Sequence, residues 1–165
     1  MADGGYTSEM CQQAMIEELR ELFKGKTFSG QEDEKPLKIY KQFLPFATDD
    51  DDDTDTNRSA FPCIVVKLAE GEVEGPGVAQ EVLMQLVICA YDKGVDRQGY
   101  VDVVNIKESI MQHFTAYPAF GTAFTVGYPR AWALQDDDTG PYYWGVVNLI
   151  ISIPTNRMSS IEELI

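Results

Sequence analysis

The chain has one histidine, three cysteines, and 13 lysines and arginines against 27 aspartates and glutamates. Each shortage excludes something. A general base needs a reacting proton within reach, and His113 borders the apolar face of a predicted helix with no nucleophile signalled nearby, so it reads as a packed or half-exposed structural residue. Cys11, Cys63 and Cys89 are odd in number and far apart, with no Cys-x-x-Cys spacing. They suggest neither a disulfide framework nor a zinc site. All three are expected to be reduced, with Cys63 and Cys89 acting as small hydrophobes in strand-like runs. A net charge of −14, with no stripe of lysine and arginine among aromatics, argues against nucleic-acid phosphates and anionic membrane surfaces as partners.

Other absences point the same way. The longest apolar runs, Leu83–Ala90 and Gly145–Ile153, fall short of the roughly 20 residues that span a bilayer. The opening Met1-Ala-Asp-Gly-Gly-Tyr6 has neither the basic nor the apolar part of a signal peptide, so a soluble protein made in the cytoplasm is expected. Gly75-Pro-Gly77 lacks the third glycine of a dinucleotide loop, because Gln80 stands there. No Gly-Lys-Ser/Thr, Gly-x-Ser-x-Gly or His-Glu-x-x-His pattern occurs. Nothing suggests an enzyme, a cofactor or a metal centre.

What is present is an ordinary core. The 165 residues are 44% apolar, enough for one domain that buries about two-thirds of its unfolded surface without disulfide or metal. Nine of the acids lie in Asp49–Asp53, Asp55 and Asp136–Asp138, so the rest of the chain is only mildly acidic. A calcium loop needs glycine at its sixth position and glutamate at its twelfth. Counting from Asp49 those are Thr54 and Ala60, and from Asp51 they are Thr56 and Pro62. The first tract therefore reads as a solvated, self-repelling loop over residues 47–60. A small calcium- or ligand-binding module using Asp49–Asp55 is the alternative. Asp136–Asp138 with Thr139-Gly-Pro141 reads as a hairpin loop.

Periodicity places a helix from Thr7 or Ser8 to about Lys24, with Met15, Leu19, Leu22 and Phe23 inward and Gly25 ending it. Strands follow at Leu37–Leu44 and Phe61–Leu68, with a turn over Glu70–Gly77 leading to Val82–Tyr91. That last strand is apolar on both faces, as in a sheet centre covered on both sides. A second helix, Tyr100–Tyr117, offers Val103, Ile106, Ile110, Phe114 and Tyr117. Strands Val126–Leu134 and Tyr142–Ile153 complete the order α-β-β-β-α-β-β. The expected fold is α+β, a mostly antiparallel sheet of about five strands with both helices on one face. The last strand should place Tyr143, Val147, Leu149, Ile151 and Ile153 on one side, and Tyr142, Trp144, Val146 and Ile150 on the other. Tyr142, Tyr143, Trp144 and Val146 are the candidates for a subunit interface. A tail, Thr155–Ile165, could dock through Ile161, Leu164 and Ile165.

Two stretches, Ile88–Tyr91 running into Gly99-Tyr-Val-Asp-Val-Val-Asn105, and Pro141-Tyr-Tyr-Trp-Gly145 running to Pro154, resemble the tail terminator proteins of long-tailed bacteriophages. The order of elements from Thr7 to Pro154 resembles theirs too. The resemblance implies a virion protein that forms a six-membered ring on the head-proximal end of the tail tube, stops tube growth, and offers a docking face to the neck. Its partners would be further copies of itself, the tail tube protein, a neck or head-closure protein and, in a contractile tail, the sheath. A prophage or a headless tail-like particle could carry the same protein. Asp49, Asp50, Asp51, Asp52 and Asp53 would then be candidate lumen acids that repel passing DNA. Another ring component, such as a head-closure protein, is the alternative within the virion.

Overall fold

Thr7 starts the first helix: its hydroxyl accepts the Met10 N–H at 3.1 Å, satisfying one of the free donors of the opening turn. In this computed structural model, which describes residues 5–28, 35–45, 60–94 and 99–155, helix α1 spans Ser8–Leu22. It buries Cys11, Met15, Ile16 and Leu19, and one residue that its apolar periodicity does not mark, Gln12. Gly25, at φ +76°, turns the chain after the helix. A two-residue pair, β1 (Thr27–Phe28) with β2 (Lys35–Pro36), stands apart from the main sheet.

The main sheet has seven strands: β3 (Lys38–Lys41), β4 (Cys63–Glu72), β5 (Gln80–Tyr91), β6 (Ala119–Phe120), β7 (Phe124–Val126), β8 (Ala131–Leu134) and β9 (Tyr142–Ile153). Their spatial order is β3-β4-β5-β9-β7-β6, with β8 also paired to β9. Helix α2 spans Gly99–Ala116, between β5 and β6. The architecture is α+β, as expected, but the sheet is mixed and has more strands than the five predicted.

Three differences have physical causes. First, β3 runs parallel to β4. The connection from Gln42 to Pro62 is long enough for the crossover that parallel neighbours require. The strand is also shorter than Leu37–Leu44, because Gln42 takes φ +69° and leaves the ladder. Its side-chain amide substitutes for a peptide group, accepting Leu68 N–H at 2.9 Å and donating to Leu68 C=O at 3.2 Å. Buried Gln12 secures this clasp by donating to Gln42 Oε1 and to the Val66 carbonyl, each at 2.8 Å.

Second, β4 continues through Glu70–Glu72 beyond an irregularity between Leu68 and Glu70, so the turn into β5 is narrower than predicted. Third, Val126–Leu134 is not one strand. Pro129 has no N–H for a ladder, and the chain steps aside between β7 and β8, which both pair with β9 at different heights. The small β6–β7 hairpin, which buries Phe120, Phe124 and Val126, is an addition to the expected order.

Both helices pack on one face of the sheet, α1 against β3 and β4, α2 against β5 and β9. Ile64 and Val66, then Met84, Leu86 and Ile88, then Val147, Leu149 and Ile151 form the sheet side of this core. Val103, Ile106, Ile110 and Phe114 close it from α2, whereas Tyr117 lies past the helix end and is exposed, against expectation. His113 Nε2 lies 2.7 Å from Glu18 Oε2, a link between the two helices. Among the described residues no helix or strand lies on the opposite face of the sheet, where Cys63 and Val65 of β4 are nonetheless buried, and none supplies the second cover predicted for β5. Its side chains alternate between buried and half-buried. No helix among the described residues is long and apolar enough to cross a membrane.

Candidate subunit interface

Strand β9 sorts its side chains by parity. Tyr143, Val147, Leu149, Ile151 and Ile153 are buried toward the helices, while Tyr142, Trp144, Val146 and Ile150 point to the opposite face. The antiparallel registers extend this division across the sheet in rows. Cys63, Cys89 and Trp144 form one row; Val65, Val87, Val146 and Ala133 the next; Lys67, Gln85, Asn148 and Ala131 a third; Leu83 and Ile150 lie beyond. The face is thus apolar with a polar band through its middle. Within that band the Asn148 Oδ1 is shielded from solvent and accepts no hydrogen bond.

Aromatic rings collect at one end. Tyr142 meets Tyr91 and Phe61 edge-on, with centroids 5.1 and 5.6 Å apart. Trp144 beside them is 49% exposed, although a large apolar surface normally moves out of water. Tyr142, Trp144 and Val146 therefore share one surface. Tyr143 does not: it is 7% exposed and lies on the helix side, so the four candidates are not a single patch.

Tyr143 has a different neighbour, Gly99 at the start of α2. A Cβ on Gly99 would come 2.3 Å from Tyr143 Cδ2, so only glycine lets the helix sit this close. Two strand positions on, a Cβ on Gly145 would come 2.8 Å from Leu134 Cδ2 and 3.2 Å from Val103 Cγ1. The two sequence stretches that carry the phage resemblance thus meet in space, as a seam between the first turns of α2 and the first residues of β9. Sequence spacing alone gives no sign of that seam, because contact between residues 99 and 143 is set by topology.

Lys107 was equally hidden from periodicity. It is 5% exposed, pairs with Glu108, and places its ammonium 3.8 Å from the ring centroid of Trp132 on β8. A cation over an indole face is attracted by the ring quadrupole, more so when water is excluded.

The acidic features behave differently from one another. Asp49–Asp53 and Asp55 lie outside the described residues, as does the tail beyond Thr155. Asp136–Asp138 form the β8–β9 turn, where Gln135 Nε2 donates to the Asp137 carbonyl at 2.7 Å and to Thr139 Oγ1 at 2.9 Å. Asp138 Oδ1 accepts the Gly140 N–H at 3.1 Å. These bonds within the turn account for its shape. Beside it a groove of about 410 Å³ runs between Tyr100, Val103, Leu134 and Tyr143, with the three aspartates on its rim. Asp92, at the end of β5, is buried; its Oδ1 accepts the Gly94 N–H at 2.7 Å and its Oδ2 has no hydrogen-bond partner. Burial, with the Asp92 charge adding to it, raises the pKa of Asp102. Among the described residues no three His, Cys, Asp or Glu side chains are grouped to hold a metal ion.

The sequence matches no protein-family model and no curated protein sequence.

Proposed function

We propose that this chain is a ring-forming structural protein of a bacteriophage tail or phage-tail-like particle, seated on the head-proximal end of the tail tube. The observation that carries the reading is the sheet face opposite the helices, with Tyr142, Trp144, Val146, Val87 and Ile150 on it. An apolar surface with aromatic anchors is how subunit contacts are commonly built. The arrangement of two helices on one face of an α+β sheet, and the resemblance of the Gly99–Asn105 and Pro141–Pro154 stretches to tail terminators, give that contact its context.

A ring of this kind works through unequal surfaces. Each subunit would meet its neighbour head to tail, and the rotation between subunits would close the circle, six-fold if it follows the terminators. One end of the ring would copy the contact that a tail tube subunit makes, and the other would not repeat it. Tube growth then stops, and the free end is offered to a neck or head-closure protein. A sheath, in a contractile tail, would anchor on the outer rim. None of these steps requires chemistry.

Electron microscopy of particles made after deleting this reading frame tests the proposal. Tubes of uncontrolled length, detached from any heads, are expected. Tails of normal length with leaking heads would instead assign the protein to neck closure, and unaltered particles would overturn the structural role.

A further inference from the structure

Cys63 and Cys89 are 26 positions apart in sequence and directly opposite each other in the β4–β5 ladder. Both are free thiols, and each is the largest influence on the other's pKa. They lie on the sheet face opposite the helices, in the row that continues to Trp144. Opposed residues of adjacent strands stand about 4.5–5.5 Å apart between Cα atoms, inside the range a disulfide spans. Cys63 is fully buried, whereas Cys89 is reachable from solvent.

We propose that Cys63 and Cys89 are a convertible dithiol pair, in which Cys89 is the attacking sulfur and Cys63 the resolving one. The co-reactant is a low-molecular-weight disulfide of the glutathione class. The Cys89 thiolate attacks one sulfur of the oxidised tripeptide, forming a mixed disulfide and releasing one glutathione thiolate. The Cys63 sulfur then attacks the Cys89 sulfur, the second glutathione leaves, and the Cys63 proton ends on a released thiolate. Two protein thiols are oxidised and one glutathione disulfide is reduced to two thiols.

The local electrostatics set this order. The hydrogen bond from Cys63 lowers the Cys89 pKa, which favours its thiolate, while that same bond, burial and the Cys89 charge raise Cys63. Once Cys89 is capped, its negative charge and its role as acceptor are gone, and only burial still opposes ionisation of Cys63. Lys38, opposite Cys63 on the parallel neighbour β3, favours the anion. Cys11 is an internal control. It lies in the core, and burial pushes its thiol up to about 12.

Incubation of the native protein with oxidised glutathione at mildly alkaline pH, followed by alkylation, tryptic digestion without reductant and mass spectrometry, tests the pair. The expected product has lost two hydrogens and joins the peptide containing Cys63 to the peptide containing Cys89, which cleavage at Lys67 separates. Cys11 should be alkylated only after unfolding. In Cys63→Ser the glutathione adduct on Cys89 should persist; in Cys89→Ser neither adduct nor crosslink should form in the folded protein. The linked form should melt at a higher temperature than the reduced form, and dithiothreitol should reverse the change. A stable glutathione adduct in the unsubstituted protein, a link involving Cys11, or no reaction at Cys89 would each overturn the proposal.

Discussion

Arg130 reaches back from the start of β8 to the end of α2, where its Nη1 donates to the Phe114 carbonyl at 3.0 Å. Its Nε and Nη2 donate to the carbonyls of Gly127 and Val126, also at 3.0 Å, and the guanidinium lies 4.1 Å from the Tyr128 ring centroid. One planar fork thus satisfies a carbonyl from the last turn of the helix, which has no partner within it, one from the end of β7 and one from the turn that follows it.

Replacing that fork should be costly even when the charge is kept. Arg130→Ala is expected to destabilise the fold by about 2–4 kcal/mol, since hydrogen bonds to charged groups contribute about 1.5–3 kcal/mol each and are not additive. Arg130→Lys should recover less than half of this, because an ammonium cannot reproduce the planar arrangement. Urea unfolding of the two variants checks both values. Full recovery by lysine would show that charge alone matters.

Gly99→Ala should destabilise, by about 1–3 kcal/mol, as a Cβ forced into a packed neighbour does. Helix propensity alone gives the opposite sign, with alanine better by up to about 1 kcal/mol. The sign of the change therefore separates the two effects. In a Tyr143→Ala background the two closest contacts are gone and only Asp92 Cβ, 3.0 Å away, still crowds the site, so Gly99→Ala should cost clearly less than in the unsubstituted protein. A double-mutant cycle measured by chemical unfolding would show this coupling.

Asp102 supplies a pH dependence. Its pKa is raised in the folded state by burial and by Asp92, so the folded protein holds this proton more tightly than the unfolded chain. Stability from this group is complete in acid and falls as pH rises from the ordinary value of 3.8 through the raised one. Asp102→Asn, which cannot ionise, should match the unsubstituted protein at the acid end of that window and exceed it above. Thermal midpoints of both proteins across the acid range test this. A constant difference between them would assign the effect elsewhere.

Trp144→Glu separates folding from assembly. The indole is half-exposed on the face opposite the helices, so the isolated chain should change in stability by no more than about 1 kcal/mol. A carboxylate at the centre of a subunit contact is far more disruptive. Unfolding curves close to those of the unsubstituted protein, together with loss of tail-length control in particles carrying the variant, are the expected pair of results. Normal particles would remove Trp144 from the contact.

Sequence patterns disclosed much of this fold. Alternation along Tyr142–Ile153 identified both faces of β9, because the pleat enforces a period of two and one face is packed under helices. Thr7 and Gly25 marked the ends of α1 through local backbone chemistry. Contacts between distant residues were not legible. Gln42 leaves β3 because its amide finds Leu68 and Gln12, partners that no local window contains. The Gly99–Tyr143 seam and the Lys107–Trp132 contact are likewise products of topology. Of the interface candidates, alternation alone divides Tyr143 from Tyr142 and Trp144, while the half-burial of every second side chain of β5 could not be read from an apolar strand.

The outermost strands of the main sheet, β3 and β6, have four and two residues. β3 pairs only with Cys63–Val66, so the outer side of β4 over Glu70–Glu72 has no partner strand among the described residues, and it carries Glu70 and Glu72; charges on an edge are a common safeguard against indefinite lateral growth of a sheet. Copies of this chain meeting along that edge would bring like charges together, which disfavours fibrils built by edge-to-edge pairing.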